Sequence, residues 1–172
     1  MGELSYKKYI SCLLLFISQN LLADNFVLPE ATTCALNVPP QQRAPLLDQC
    51  LTAANAGDKE AQYQLGLYYY EGQLTPPNYP LAINWFKKAS LQAHLDAQVK
   101  LGYMYFKGQG TPINNLQAYI IFKIAGINGS DEAMDVADQV ASHMTQQELQ
   151  KANIILGKTF RTYLQQSRNS HQ

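Results

Sequence analysis

The chain has 172 residues, the size of one domain, with 47% apolar and 15% charged residues. That balance excludes a disordered chain, which combines low hydrophobicity with high net charge. Thirteen basic and thirteen acidic residues cancel, so the basic footprint of a nucleic-acid binder is missing.

Residues 1–23 have the order of a secretory signal. Lys7 and Lys8 form a positive start, Tyr9 to Ile17 is an apolar run, and Leu21-Leu22-Ala23 precedes Asp24. The run is shorter than the roughly 20 apolar residues that cross a bilayer. We expect cleavage after Ala23, leaving no stable membrane span and a periplasmic or secreted protein; the other reading of this segment is an uncleaved anchor. Removing Lys7, Lys8 and Glu3 leaves eleven basic and twelve acidic residues. Cys12 goes with the signal. Cys34 and Cys50 remain as an even pair in an oxidising compartment, where pairs form disulfides. Both thiols staying reduced, or one pairing with another chain, are the alternatives.

Residues 24–43, with Pro29, Pro39 and Pro40, read as an irregular segment. Helix 44–56 follows, with Leu47, Cys50, Leu51 and Ala54 on one stripe. A loop of this length closed by Cys34 and Cys50 would contribute roughly 3 kcal/mol.

From residue 61 the chain repeats itself. Blocks 61–96 and 97–132 align without a gap at 14 of 36 positions, where ordinary frequencies give about two or three. Each block reads as helix, turn, helix. In the first, Asp58 caps a helix through Ala61, Leu65 and Tyr68 or Tyr69, Gly72 ends it, Thr75-Pro76-Pro77 breaks the chain, and Asn78 caps a second helix through Ala82, Trp85, Phe86 and Ala89. In the second, Asp96 serves as the cap, Leu101 and Tyr105 lie inside, Gly108 and Gly110 mark the stop, and Asn114 caps the helix of Ala118, Ile121, Phe122 and Ala125. Gly66 and Gly102 sit inside helices, where glycine costs about 1 kcal/mol relative to alanine. A cost met twice at one repeat position implies close helix packing there, with Ala82 and Ala118 as the opposing small residues.

The ends read as caps, which a stack of repeats requires. Residues 130–164 hold two capping helices. Ala133, Val136, Ala137 and Val140 line the first. Thr145 and Glu148 form a capping box that opens the last, which runs through Ala152, Ile155, Leu156, Thr159 and Tyr163. The tail from Gln165 is polar.

The pattern Ala61, Leu65, Gly66, Tyr69, Gly72, Pro76, Ala82, Trp85, Lys88, Ala89 resembles the Sel-one-like repeat, a relative of the tetratricopeptide repeat. The second copy departs at Ile121 and Ile124, where the family favours Trp and Lys, and the inter-repeat turn has Ala93-His94 where the family favours Ala-Gly. The resemblance covers about 53–133. It implies an all-α fold, a short right-handed α-solenoid of helix-turn-helix repeats spanning 44–172, and a role in binding proteins.

No nucleophile motif, phosphate loop or metal spacing is present. The chain reads as no enzyme, with no catalytic residue, no metal and no cofactor. His94, His143 and His171 are isolated, and His94-x-Asp96 reads as a turn. Asp131, Asp135 and Asp138, with Glu132 nearby, suit a helix N-terminus. Lys151, Lys158, Arg161 and Arg168 suit a solvated last helix.

In related repeat folds the first helices line a concave groove. The positions that the repeat pattern does not use are Glu60, Tyr63, Leu67, Tyr70 and Glu71 in the first copy. In the second they are Asp96, Val99, Tyr103, Phe106 and Lys107. These ten are the expected partner-binding residues, because two adjacent aromatic stripes suit a peptide or helix. The competing reading is that the rings only pack between neighbouring helices. Together these readings describe a secreted or periplasmic interaction module, a scaffold or regulator of an envelope or host partner. The alternatives are a cell-wall-active enzyme or a docked subunit of a larger envelope complex.

Overall fold

The computed structural model describes residues 34, 38–73 and 76–169. The expected signal and most of the irregular segment lie outside them. Among the described residues there are seven helices and no strand: α1 Pro40–Asn55, α2 Lys59–Glu71, α3 Tyr79–Leu91, α4 Leu95–Lys107, α5 Asn115–Ile127, α6 Asp131–Ala141 and α7 Gln146–Asn169. They stack as an α-solenoid: α2 pairs with α3 and α4 with α5, α3 packs on α4 and α5 on α6, and the first helices α2 and α4 touch.

The boundaries follow from local chemistry. Asp58 accepts the amide of Ala61 at 2.7 Å, Asn78 that of Leu81 at 3.1 Å, Asn114 that of Gln117 at 3.0 Å and Ser130 that of Ala133 at 3.1 Å. Gly72 and Gly108 close α2 and α4 in the left-handed region. Thr145 and Glu148 bond reciprocally at the start of α7. Three details differ from the sequence reading. Helix α1 begins at Pro40 rather than 44, because a proline in the first turn has no amide to lose. Helix α7 continues to Asn169, past residue 164. And the cap of α4 is His94, whose Nδ1 accepts the amide of Ala97 at 3.4 Å; Asp96 is a first-turn residue instead. The 36-residue register puts 94 where Asp58 stands, so the period locates the cap better than residue type does.

The two helix-interior glycines explain the helix pairing. A Cβ on Gly66 would lie 2.4 Å from the ring of Phe86, and one on Gly102 would lie 2.8 Å from the ring of Phe122. Both rings are fully buried. The groups facing the glycines are therefore these phenylalanines, not Ala82 and Ala118 as the sequence reading had it, although both alanines are also buried.

A hydrogen-bond relay joins successive hairpins with the same period. The side chain of Gln62 donates to the carbonyl of Ala54 at the end of α1, and Gln98 donates to that of Ser90 at the end of α3. Each glutamine in turn accepts from the turn after the next second helix, Gln62 from Gln92 and Gln98 from Asn128. Both glutamines are buried, and both polar atoms of each amide are hydrogen-bonded. The turns themselves need a positive φ at one position, filled by Gly57, Ala93 and Gly129 at 102°, 58° and 107°.

At the N-terminal edge Cys34 and Cys50 form a disulfide with Cα atoms 5.1 Å apart, inside a small core of Ala54, Ala61, Leu65, Tyr68 and Trp85. At the other edge α7 lies against α5 rather than pairing with α6. Asp138, at the register position of Gly66 and Gly102, is accordingly exposed.

Two outcomes are expected. Gly66→Ala and Gly102→Ala each lower stability by about 1–3 kcal/mol, since overpacking outweighs the gain of up to about 1 kcal/mol in helix propensity; raised melting temperatures would show that the rings yield. Ala93→Gly does the reverse. A left-handed alanine costs roughly 1–2 kcal/mol and the added freedom of the unfolded glycine about 0.4–1 kcal/mol. The substitution therefore raises the melting temperature by a few degrees, and an unchanged or lowered value would show no strain at the turn.

Candidate functional site

The ring-bearing stripe of α2 runs Glu60, Tyr63, Leu67, Tyr70, and that of α4 runs Asp96, Val99, Tyr103, Phe106, at helical spacings of three and four. Tyr63, Leu67, Tyr70, Val99, Tyr103 and Phe106 are all half-buried and pack on the main core. Each ring leans inward on a neighbour and keeps part of its surface open.

The inward contacts are specific. Tyr63 stacks on His94 with ring centres 4.4 Å apart and tilts against Phe86 at 5.9 Å. Tyr70 meets Tyr79 at 5.5 Å, and its hydroxyl donates to Gln109 Oε1 at 3.3 Å. Tyr103 sits edge-on to Phe122 at 5.1 Å, and its hydroxyl donates to Glu132 Oε1 at 3.0 Å. Phe106 lies 5.6 Å from the ring of His143. The phenylalanines that fill the glycine notches thus also support the outer rings.

The charged members of the expected site are exposed. Glu60 Oε2 lies 3.0 Å from His94 Nε2. With His94 Nδ1 accepting a backbone amide, the arrangement fits a ring that carries its proton on Nε2 and donates to Glu60. Partial burial pushes the Glu60 carboxyl up, but hydrogen bonds from Gln64 and His94 and the nearby His94 outweigh it, and the net shift is downward. Glu71 accepts from Gln73 at 2.8 Å. The Lys107 ammonium lies 5.1 Å from the centre of the Tyr103 ring, and that of Lys100 5.7 Å from the Tyr70 ring. Burial raises the Tyr63 phenol, with Asp96, Glu60 and Glu71 adding to it; burial also raises the Tyr103 phenol, with Glu132 adding to it. The sequence reading missed two members: His94, which it treated as part of a turn, and Glu132, which it placed in a helix-terminal acidic group. The 36-residue register held both signals.

Among the described residues no group of His, Cys, Asp and Glu could hold a metal ion, and no helix is long and apolar enough to cross a membrane.

Comparison with known proteins places two Sel1 repeats at residues 59–94 and 95–130, the same period as the alignment above, two residues earlier in phase. One similar solved structure is c5321, described as a protective antigen present in uropathogenic Escherichia coli strains displaying an SLR fold. It is 27% identical with a TM-score of 0.63, over 69% of this chain and 26% of that one. Another is a Sel1 repeat protein from Oxalobacter formigenes, 33% identical with a TM-score of 0.51, over 53% of this chain and 37% of that one. The chain thus spans about a quarter to a third of the length of these relatives. No curated protein matches.

The downward shift at Glu60 has a defined sign. A carboxyl held below 4.5 in the fold adds stability above that value and loses it as pH falls through the lowered one. The melting temperatures of the wild type and Glu60→Gln should therefore differ near neutral pH and converge at acid pH. A constant gap across the range would show that the Glu60 carboxylate gains nothing from Gln64 and His94.

Proposed function

We propose that this chain, which carries two Sel1 repeats, is an extracytoplasmic protein-binding module that scaffolds or regulates an envelope or host partner through the ring-bearing face of α2 and α4. Sel1 repeats are protein–protein interaction modules, and their family is a non-enzymatic repeat scaffold. The observation that carries the reading is the half-open row of Tyr63, Leu67, Tyr70, Val99, Tyr103 and Phe106. Rings of this kind offer large contact area at low entropic cost, and their buried sides are already held by the core. The Cys34–Cys50 disulfide supports an oxidising compartment, as does the signal-like order of residues 1–23. The similarity to c5321, a protective antigen, is in keeping with that setting.

A second reading, a docked subunit of a larger envelope assembly, is favoured by α7. From Lys158 onward its described residues are exposed, with Phe160 at 50% and Leu164 at 46%.

Capture from envelope extract by the purified chain, compared across variants, tests the binding face. Tyr63→Ala, Tyr70→Ala, Tyr103→Ala and Phe106→Ala should each weaken the captured partner by more than about 1 kcal/mol. The cost in stability should stay below the roughly 3–5 kcal/mol of a fully buried aromatic. Leu91→Ala, the last residue of α3, 88% exposed and not among the rings of this face, should capture as the wild type does. Equal capture by all five variants would remove the face from the binding site.

A further inference from the structure

The last helix carries charges that the fold does not use. Helix α7 lies against α5, with Ala152 in the main core and Leu149 and Leu156 packed on it. A different stripe is left open. Lys151, Ile154, Lys158, Arg161, Leu164 and Arg168 follow one another at intervals of three or four residues, and all six are exposed. Phe160, one turn before Leu164, is 50% exposed beside them. At about 1.5 Å per residue the stripe is roughly 25 Å long. Residues 149–172 contain no Asp or Glu.

The cations of this stripe differ from those of the repeats. All five lysines of α3, α4 and α5 lie over an aromatic ring: Lys87 over Tyr105, Lys88 over Trp85, Lys100 over Tyr70, Lys107 over Tyr103 and Lys123 over Tyr119. Among the described side chains no ring covers Lys151, Lys158, Arg161 or Arg168, and no carboxylate pairs with them. The hydroxyls of Thr159 and Thr162 bond carbonyls of their own helix. The free charge and the free apolar surface of α7 thus share one face.

The order along that face selects the partner. Ile154 and Leu164 stand almost three turns apart, with Lys158 and Arg161 between them, so there is no unbroken apolar ridge to fill a protein groove. A bilayer surface accepts the alternation. Apolar tips enter the boundary below the headgroups, while Lys and Arg lay their stems on the same boundary and reach back to the phosphates. An unbroken run of positive charge suits anionic headgroups.

We propose that the free face of α7 docks this protein on an anionic lipid bilayer, the helix lying in the plane of the interface. The contact uses neither α2 nor α4, so it stands apart from the ring-bearing face and leaves that face open to a partner.

A fluorescent residue placed on α7 tests this. Phe160→Trp, measured against the wild type with Trp85 alone, is mixed with vesicles of phosphatidylcholine or of phosphatidylcholine with phosphatidylglycerol. The signal-like residues 1–23 do not affect this local readout. Its emission should move to shorter wavelength and be quenched by bromine on the acyl chains with the anionic vesicles alone, and the effect should weaken as salt rises. Lys158→Gln, Arg161→Gln and Arg168→Gln together should raise the lipid concentration needed at least tenfold while melting within a few degrees of wild type. Lys59→Gln, Lys87→Gln and Lys123→Gln remove the same charge elsewhere and should bind as the wild type does. Leu164→Trp, in place of Phe160→Trp, repeats the measurement if the first substitution disturbs the helix. Equal loss in both triple variants would reduce the effect to net charge and overturn the proposal. Equal shifts with neutral vesicles would overturn the role of the cations. No shift with either vesicle would overturn the lipid partner. Self-association abolished by Asp131→Asn, Asp135→Asn and Asp138→Asn, with no vesicle binding, would assign α7 to a second copy.

Discussion

The hairpins depend on two missing side chains. Where Gly66 and Gly102 leave the helix surface bare, Phe86 and Phe122 lie in the notch, and the distance between first and second helix is set by ring against backbone. The loss of helix propensity at glycine, about 1 kcal/mol, is small beside the burial of a whole phenylalanine, about 1.5–3 kcal/mol. The same two rings then contact Tyr63, Tyr70 and Tyr103 from below. The residue that closes each hairpin is thus also the support of the outer face, and the geometry of that face is inherited from the core.

Between hairpins the constraint is polar. Gln62 and Gln98 are buried amides that tie the end of one helix to the turn after the next. A buried amide of this kind destabilises if either partner is lost, so it fixes the angle at which hairpins succeed one another. His94 adds a local variation at one such joint. It caps α4, stacks on Tyr63 and holds Glu60, which links the joint to the outer face through a single side chain.

Much of this was legible in the sequence because the period is internal evidence. Identity at Leu65/Leu101, Gly66/Gly102 and Phe86/Phe122 announces helical hairpins, and the core alanines fall where the register puts them. What escaped was pairing across the register. Small residues often face each other, which points Gly66 at Ala82, yet a flat ring fills the space better than a methyl. Residue type points to Asp96 as the cap, whereas the register makes position 94 the equivalent of Asp58. The rings of the outer face were undecidable from spacing alone, because a half-buried residue satisfies a core pattern and a surface pattern at once. Their support by Phe86, Phe122, His94 and His143 is a tertiary fact.

The placement of α7 bears on assembly. A stack of identical hairpins presents at its open end the same surface that received the previous hairpin, so it invites further units to add. Among the described residues α6 pairs with no second helix: α7 crosses to α5 instead, and Asp138, at the glycine position, stands exposed. A carboxylate at that point would have to leave water for an incoming ring, a desolvation cost that no pairing offsets. The α6 edge is therefore a poor seat for a ring such as Phe86 or Phe122.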